Sequence, residues 1–281
     1  MSKETALRFA TAFVLVPIVL GGMYLGGYFW AAMVALVVMQ TLREYYDLAQ
    51  AKGLKPPRRP ALAVAAAVVL AGVLGMPAAS ASLMLGFVLL LTLRMARAEN
   101  TNALADTAVA MSGIVYVAFS LAHGVAMRGL ELQGHNQGFA LLFLLLGTTF
   151  FADTGGYFGG RLFGKHKLVP SISPKKTWEG LVGGIIFAIA MGLGVALVAR
   201  HVNGYELLPL PWAAALGALN AIMGLVGDLA ESMLKRDADV KDSGNLLPGH
   251  GGMLDRIDAV LINVPINYYL LVWLLGAQPS S

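Results

Sequence analysis

The sequence predicts an all-α, polytopic integral membrane protein of about nine transmembrane helices, with its N-terminus inside the cell and its C-terminus outside. Three observations support this fold class. Hydrophobic residues make up 57% of the 281 residues and charged residues only 13%, too few to cover the surface of a soluble protein. Several apolar segments approach the roughly 20 residues that a helix needs to cross the hydrocarbon layer. The basic residues, finally, are concentrated in alternate interhelical segments.

Nine apolar segments are predicted to span the membrane. They are residues 8–28, 29–47, 61–76, 80–96, 104–127, 138–158, 181–200, 211–228 and 259–276. The first lacks a small-x-small cleavage site, so we expect a retained span rather than a signal peptide. The ninth contains Asn263, Pro265 and Asn267, so one of its sides should face protein rather than lipid. These amides and that of Asn220 are expected to hydrogen-bond between helices or, alternatively, to form the polar floor of a cavity.

The distribution of basic residues predicts the orientation. Every Lys and Arg except Arg128 and Arg200 lies at the N-terminus or in the segments 43–60, 94–100, 159–180 and 229–258. Because basic residues collect in cytoplasmic loops, these segments are placed inside. The formal net charge of +4 has the same explanation, so we expect no nucleic-acid partner. The absence of cysteine excludes disulfides, thiolate metal sites and thiol nucleophiles.

Two domains are predicted from this pattern. Residues 1–137 form an N-terminal transmembrane scaffold of about five helices, with a basic loop between its second and third spans. Residues 138–281 form a C-terminal catalytic region, because most of its charged residues lie in two cytoplasmic loops, 159–180 and 229–258.

Acidic residues of the C-terminal half form a candidate metal site. Asp228 and Glu231 are three residues apart at the end of the eighth span, and Asp255 and Asp258 repeat this spacing where the ninth begins. Two such pairs at one membrane face could hold a hard cation such as Mg²⁺. The alternative is helix capping, which would suit Asp258 but not Asp228, since an acid is unfavourable at a helix C-terminus. Asp153, near the bilayer edge, is a functional candidate or else an ion-pair partner.

Basic and hydroxyl residues of the same loops form a candidate polyphosphate site. One set is Ser173, Lys175, Lys176 and Thr177, and a second set is Lys235, Arg236, Lys241, His250 and Arg256. Cations interleaved with carboxylates suit a metal-bound polyphosphate. Cytoplasmic positive charge alone would explain any single Lys, but it does not explain why acids share these loops. The glycines around His250 would let backbone amides approach an anion.

Three segments closely resemble the signature of the phosphatidate cytidylyltransferases, also called CDP-diacylglycerol synthases. The longest runs from Ser232 to Asp258 and ends in PGHGGMLDRID (248–258). The second is SPKKTWEG (173–180), and the third is DTGGY (153–157) with the following Gly160-Arg161. The resemblance covers residues 150–260 almost continuously, whereas the N-terminal half matches only in being hydrophobic.

The resemblance implies transfer of CMP from CTP to phosphatidate, giving CDP-diacylglycerol and pyrophosphate in phospholipid biosynthesis. It implies Mg²⁺, with room for a second cation, held by Asp228 and Asp255 with Glu231 beside them. The expected catalytic residues are Asp228, Asp255, Lys235, Arg236, Asp153 and Asp242, and the expected substrate-binding residues are Ser173, Lys175, Lys176, Thr177, Lys241, His250, Gly251, Arg256 and Asp258. The implied location is a bacterial-type inner membrane with a cytoplasmic active site, and a homodimer is common in the family.

Two alternatives remain open at this point. A related CTP-dependent membrane enzyme, such as a polyprenol kinase or a cytidylyltransferase for another lipid phosphate, would have a similar site. A secondary transporter for an anionic solute belongs to a different class, and it would show inverted repeats and broken helices near the midplane. The charges here instead lie in loops at one membrane edge, and the two halves look unrelated.

Overall fold

A computed structural model describes residues 3–96, 101–132, 134–204, 206–244 and 251–279. The chain is mainly helical, which confirms the predicted all-α membrane class. Within the described residues, six helical segments are long and apolar enough to cross a membrane. They are Met76–Met95, Ala103–Arg128, Gly138–Phe163, Trp178–Val202, Leu210–Asp237 and Leu254–Leu274.

Every predicted span overlaps a helical segment. The helices are α1 (Lys3–Leu25), α2 (Gly27–Ala51), α3 (Arg58–Ala71), α4 (Met76–Met95), α5 (Ala103–Gly113), α6 (Ser120–Arg128), α7 (Gly138–Phe163), α8 (Trp178–Asn203), α9 (Leu210–Asp237) and α10 (Leu254–Leu274). A π-helix, Ile114–Phe119, joins α5 to α6. The first three predicted spans coincide with α1–α3, which are not among the six segments above, so their crossing of the membrane stays a prediction.

Short strands connect some of the helices. β1 (Leu130–Leu132) pairs with β2 (His135–Asn136) and with β5 (Gln278–Pro279), in both cases antiparallel. β3 (Lys167–Val169) and β4 (Ser173–Thr177) form an antiparallel hairpin with Val169 opposite Ser173. The sequence indicated only a turn in this region, because its short strands contain Pro174 and several charges and show no alternating apolar pattern.

The chain packs into two units. The first combines Met1–Gly129 with Leu234–Ile257. Its interior includes Leu42 and Tyr46 of α2, both fully buried, and the Tyr46 hydroxyl donates to the carbonyl of Ala110 in α5 over 2.9 Å. The Trp30 indole donates to the carbonyl of Gly124 in α6 over 3.2 Å. These bonds satisfy buried polar groups and fix α2 against α5 and α6.

The second unit combines Leu130–Met233 with Asp258–Ser281. An amide network joins three of its helices. Asn220 donates to the Thr148 hydroxyl over 2.8 Å, Asn263 donates to the Thr149 hydroxyl over 3.0 Å, and Asn267 donates to the Asn220 side-chain oxygen over 2.6 Å. The expected hydrogen bonding of these asparagines between helices is therefore confirmed.

Glycines allow α7 and α8 to pack closely in the second unit. A Cβ on Gly159 would lie 2.8 Å from the backbone oxygen of Glu179, and one on Gly180 would lie 3.0 Å from the oxygen of Gly156. Backbone atoms cannot move aside as a flexible side chain can, so larger residues would force the helices apart. This contact fixes the strand β4, which leads directly into α8, against the helix that carries Asp153.

Candidate functional site

Lys176 is the centre of the first group of site residues, which lies in the second unit. Its ammonium group forms an ion pair with Oδ2 of Asp228 in α9. Burial by itself lowers the pKa of Lys176, but the carboxylates of Asp228, Asp153 and Asp258 raise that pKa above its ordinary value. Residues from α7, β4, α9 and α10 thus contribute to one electrostatic cluster with three acids and a base.

The end of the β3–β4 hairpin is held by the start of α8. The buried hydroxyl of Thr177 caps α8 by accepting from the amide of Gly180 over 3.1 Å. The carboxylate of Glu179 accepts from the amides of Lys165 and His166 and lies 2.6 Å from the His166 ring nitrogen. The amide of Trp178 donates to the His166 carbonyl over 3.0 Å. The backbone that directly follows Lys176 is therefore held both by the start of α8 and by Lys165 and His166.

Asp228 and Glu231 occupy one face of α9, as their spacing predicted. Glu231 is 1% exposed, whereas the Asp228 side chain is 27% exposed and also lies within 3.4 Å of the Ser232 hydroxyl. Asp258 lies in the first turns of α10, where its carboxylate accepts from the amide of Ala259 over 2.7 Å. Asp258 thus has both a local helix-terminal bond and an interaction with Lys176.

Asp255 is the centre of the second group, which lies in the first unit. Its Oδ1 accepts from the ammonium of Lys235 over 2.6 Å, and both side chains are nearly buried. Its Oδ2 accepts from the amide of Ser243, the hydroxyl of Ser243 and the amide of Gly252, at 3.0, 2.9 and 2.8 Å. These four hydrogen bonds hold the Asp255 carboxylate in a defined orientation.

The glycine motif of the signature packs against this carboxylate. Gly251 has a φ of +78°, and a Cβ there would lie 2.9 Å from Oδ2 of Asp255. Only glycine adopts this conformation readily and leaves room for the carboxylate. The sequence predicts that backbone amides near Gly251 contact an anion. In the structure, the anionic group next to Gly251 is the carboxylate of Asp255.

The remaining predicted residues differ in exposure. The Lys175, Arg236, Lys241, Asp242 and Arg256 side chains are exposed, and Ser173 is half-buried in the hairpin. His250 lies outside the described residues. The exposed cations are accessible to a soluble, charged ligand, whereas Lys235 and Lys176 are engaged by carboxylates.

Glu44 contacts the second group of site residues although it belongs to none of the motifs predicted from the sequence. This residue of α2 is 3% exposed, and its carboxylate accepts from the amide of Leu254 over 2.8 Å. The signal was available, since Glu44 is an ionisable residue within the predicted span 29–47, the same observation that singled out Asp153.

The described residues contain no complete metal site. Among them, no three Asp, Glu or His side chains are grouped so that they could hold a metal ion. The three carboxylates that act on Lys176 nevertheless stabilise a positive charge, and oxygen donors of this kind are the ligands of Mg²⁺. The donor atoms thus suit a hard cation by their chemistry, whereas their spacing in the described residues does not form a complete site.

Comparison with known proteins identifies relatives along nearly the whole chain. The model of the cytidylyltransferase family matches residues 6–274. A phosphatidate cytidylyltransferase of Synechocystis is 31% identical over 299 residues, covering 95% of this chain and 97% of the relative. The enzyme of that name from Pseudomonas aeruginosa is 36% identical over 274 residues, covering 96% and 97%. The similarity thus extends beyond the signature into the N-terminal half, and the chain belongs to the cytidylyltransferase family.

Proposed function

We propose that this protein is a CTP:phosphatidate cytidylyltransferase, which transfers CMP from CTP to phosphatidate. The observation that carries the proposal is the similarity of nearly the whole chain to enzymes of that name, at 31% and 36% identity. The clustered acids and bases described above support it, because this reaction brings two anionic substrates together. The proposed products are CDP-diacylglycerol and pyrophosphate.

The chemistry requires no protein nucleophile. A phosphate oxygen of phosphatidate attacks the α-phosphorus of CTP, and a new phosphoanhydride bond forms. The bond from that phosphorus to the oxygen bridging to the β-phosphate breaks, so pyrophosphate leaves with the electron pair. A phosphate monoester is a competent nucleophile near neutral pH, since its second pKa is about 6. The protein has to align the anions and stabilise the charge of the leaving group.

The cationic side chains supply that stabilisation. In the second unit, Lys176 remains protonated because its pKa is raised, and Lys175 beside it is exposed to ligand. In the first unit, Arg236 and Arg256 are exposed, and Lys235 is held by Asp255. We assign phosphate binding to these five residues, with Ser173 as a minor donor. Thr177 acts mainly as the cap that positions Lys176.

A magnesium ion is part of the proposal. Asp228 would hold it, with Glu231 one turn further along α9 and with Asp153 and Asp258 as neighbouring oxygen donors. When bound, the ion would neutralise part of the phosphate charge. The role of Asp255 as a further ligand stays a prediction, since its Oδ2 already accepts from three donors. A second cation and a homodimer also stay predictions.

The proposed location is a bacterial inner membrane, with nine spans and an N-in, C-out orientation. The charge asymmetry of the sequence supports this topology, which places the segments 159–180 and 229–258 on the cytoplasmic side. CTP is soluble in the cytosol, whereas phosphatidate keeps its acyl chains in the bilayer. A site at the cytoplasmic edge would meet both substrates.

The position of the radioactive label in CTP tests the reaction. Purified protein in detergent is incubated with phosphatidate, Mg²⁺ and CTP labelled at either the α- or the γ-phosphorus, and chloroform-soluble label is counted. Cytidylyl transfer predicts that α-label enters lipid only when phosphatidate is present, and that γ-label does not enter. A lipid kinase would give the opposite pattern. Absence of both labels from lipid, with folded protein, would overturn the proposal.

A further inference from the structure

Glu44 is a buried carboxylate of α2, between Arg43 and Tyr45 in the sequence. It is 3% exposed, and a buried charge is costly unless hydrogen bonds compensate for it. Its Oε1 accepts from the Gln40 amide over 2.9 Å, and its Oε2 accepts from the backbone amide of Leu254 over 2.8 Å. Leu254 is the first residue of α10, so Glu44 binds an amide that has no partner within its own helix.

Glu44 also contacts the middle of the same signature segment, at Ser243. The hydroxyl of Ser243 lies 3.3 Å from Oε2 of Glu44 and 2.9 Å from Oδ2 of Asp255. A hydroxyl has a single proton, so it donates to one carboxylate at a time, and the shorter distance favours Asp255. Ser243 therefore lies between the carboxylates of Glu44 and Asp255, and only 6% of its surface is exposed.

Two glycines are packed against the Glu44 carboxylate. A Cβ on Gly252 would lie 2.6 Å from Oε2 of Glu44, and one on Gly244 would lie 3.0 Å from its Oε1. Both distances are shorter than van der Waals contact, so the backbone at Gly244 and Gly252 lies close against the Glu44 carboxylate and leaves no room for a larger residue. The contact is therefore a built arrangement and not an incidental hydrogen bond.

We propose that Glu44 is a positioning residue for the cytidylyl transfer, acting through the Asp255–Lys235 pair. Glu44 holds Leu254 and, with Asp255, encloses Ser243, while Asp255 holds Gly252 and Lys235. Together the two carboxylates contact Ser243, which precedes the segment PGHGG (248–252), and Leu254, which follows it. The inference rests on the function proposed above and extends it to a residue outside the signature.

Two substitutions separate the hydrogen bonds of Glu44 from its charge. Glu44→Gln keeps an oxygen that can accept from Leu254, and its new amide group can face Gln40, whose own amide can turn to present its oxygen. Glu44→Leu has a similar volume but accepts no hydrogen bond. A positioning role therefore predicts rescue by glutamine and loss with leucine.

Steady-state kinetics test the role in activity. Compared with wild type, Glu44→Leu should lower kcat/KM for CTP by about 10- to 100-fold, the scale expected when site groups are misplaced by about 1 Å. KM for CTP should rise, because Lys235 and its neighbours are displaced; a partly unfolded preparation would only lower the apparent kcat. Glu44→Gln should stay within about fivefold of wild type. Leucine matching wild type, or glutamine failing as severely as leucine, would overturn the proposal.

Asp106→Leu is the matched control. Asp106 is another buried carboxylate of the same unit, and it accepts from the backbone amide of Lys55 over 2.7 Å. All variants are compared as monodisperse protein from size exclusion. We expect Asp106→Leu to leave KM for CTP unchanged. An equal rise in that KM would mean that any buried carboxylate of the unit has this effect, and would overturn a specific role for Glu44.

Hydrogen exchange separates this inference from the proposed function. In Glu44→Leu, amide exchange of peptides that contain Leu254 should accelerate at least tenfold, while Glu44→Gln and Asp106→Leu should retain the wild-type rate. Unchanged exchange in Glu44→Leu would overturn the inference even if the enzyme makes CDP-diacylglycerol. Conversely, a wild-type protein without cytidylyltransferase activity would refute the proposed function while the exchange result still tests the contact.

Discussion

The ammonium of Lys235 donates to Oδ1 of Asp255 over 2.6 Å, and the two side chains are 12% and 9% exposed. This nearly buried ion pair joins the last turn of α9 to the first turn of α10. Breaking such a pair leaves one charge without its partner in a medium of low polarity. The same contact therefore stabilises the first unit and orients Lys235 and Asp255, which are both predicted site residues.

A double-mutant cycle should reveal this coupling. We expect Asp255→Asn to destabilise the protein by about 3 kcal/mol, because it removes the anion that lies 2.6 Å from the nearly buried Lys235 ammonium. Lys235→Met should cost less, since Asp255 keeps its bonds to Ser243 and Gly252. The double variant should be less destabilised than the sum of the two. Thermal unfolding in detergent measures this, and simple additivity would contradict the coupling.

Lys176 should matter far more than its neighbour Lys175. Lys176 is held by Asp228 and is close to two further carboxylates, whereas Lys175 is exposed. We expect Lys176→Met to lower kcat/KM by about 100-fold, on the scale of losing one electrostatic stabiliser. Lys175→Met serves as the matched control and should cost less than about tenfold. Equal losses in the two variants would show that the cluster around Lys176 has no special role.

The pH dependence of activity follows from the same cluster. Because the pKa of Lys176 is raised, its protonated form persists up to the ordinary lysine pKa of 10.5 and beyond. The part of the stability that depends on protonation of Lys176 is therefore retained up to that pH and is lost only as the pH rises further. We expect Lys176→Arg to leave the pH profile of kcat/KM unchanged between pH 6 and about 10. A shift of the alkaline limb within that range would contradict the assignment.

Much of this architecture could be predicted from the sequence, because hydropathy and charge are local properties of a segment. The apolar segments located the helices, and the i, i+3 spacing placed Asp228 and Glu231 on one face of α9. What remained hidden depends on contacts between residues distant in the chain. Glu44 and Leu254 are 210 residues apart, and no local pattern relates them. The β3–β4 hairpin was also missed, because its polar strands contain Pro174.

Close packing of α7 and α8 predicts a contrast between two glycines. A Cβ on Gly159 would meet the Glu179 backbone oxygen at 2.8 Å, whereas a Cβ on Gly194 in α8 would have no heavy atom within 4 Å. We expect Gly159→Ala to destabilise the protein by about 1–3 kcal/mol and to lower activity, by displacing Asp153 relative to Lys176. Gly194→Ala should be neutral or slightly stabilising. Thermal unfolding and activity assays check both, and similar behaviour of the two variants would refute the packing argument.

The stoichiometry of the products tests the central claim most directly. Wild-type protein is incubated with CTP, phosphatidate and Mg²⁺, the lipid product is identified by mass spectrometry, and pyrophosphate is quantified in parallel. Cytidylyl transfer predicts CDP-diacylglycerol and pyrophosphate in equal amounts, each dependent on both substrates, and both lost in Asp228→Asn. A phosphorylated lipid with CDP as the by-product, or folded wild-type protein that yields neither product, would contradict the account.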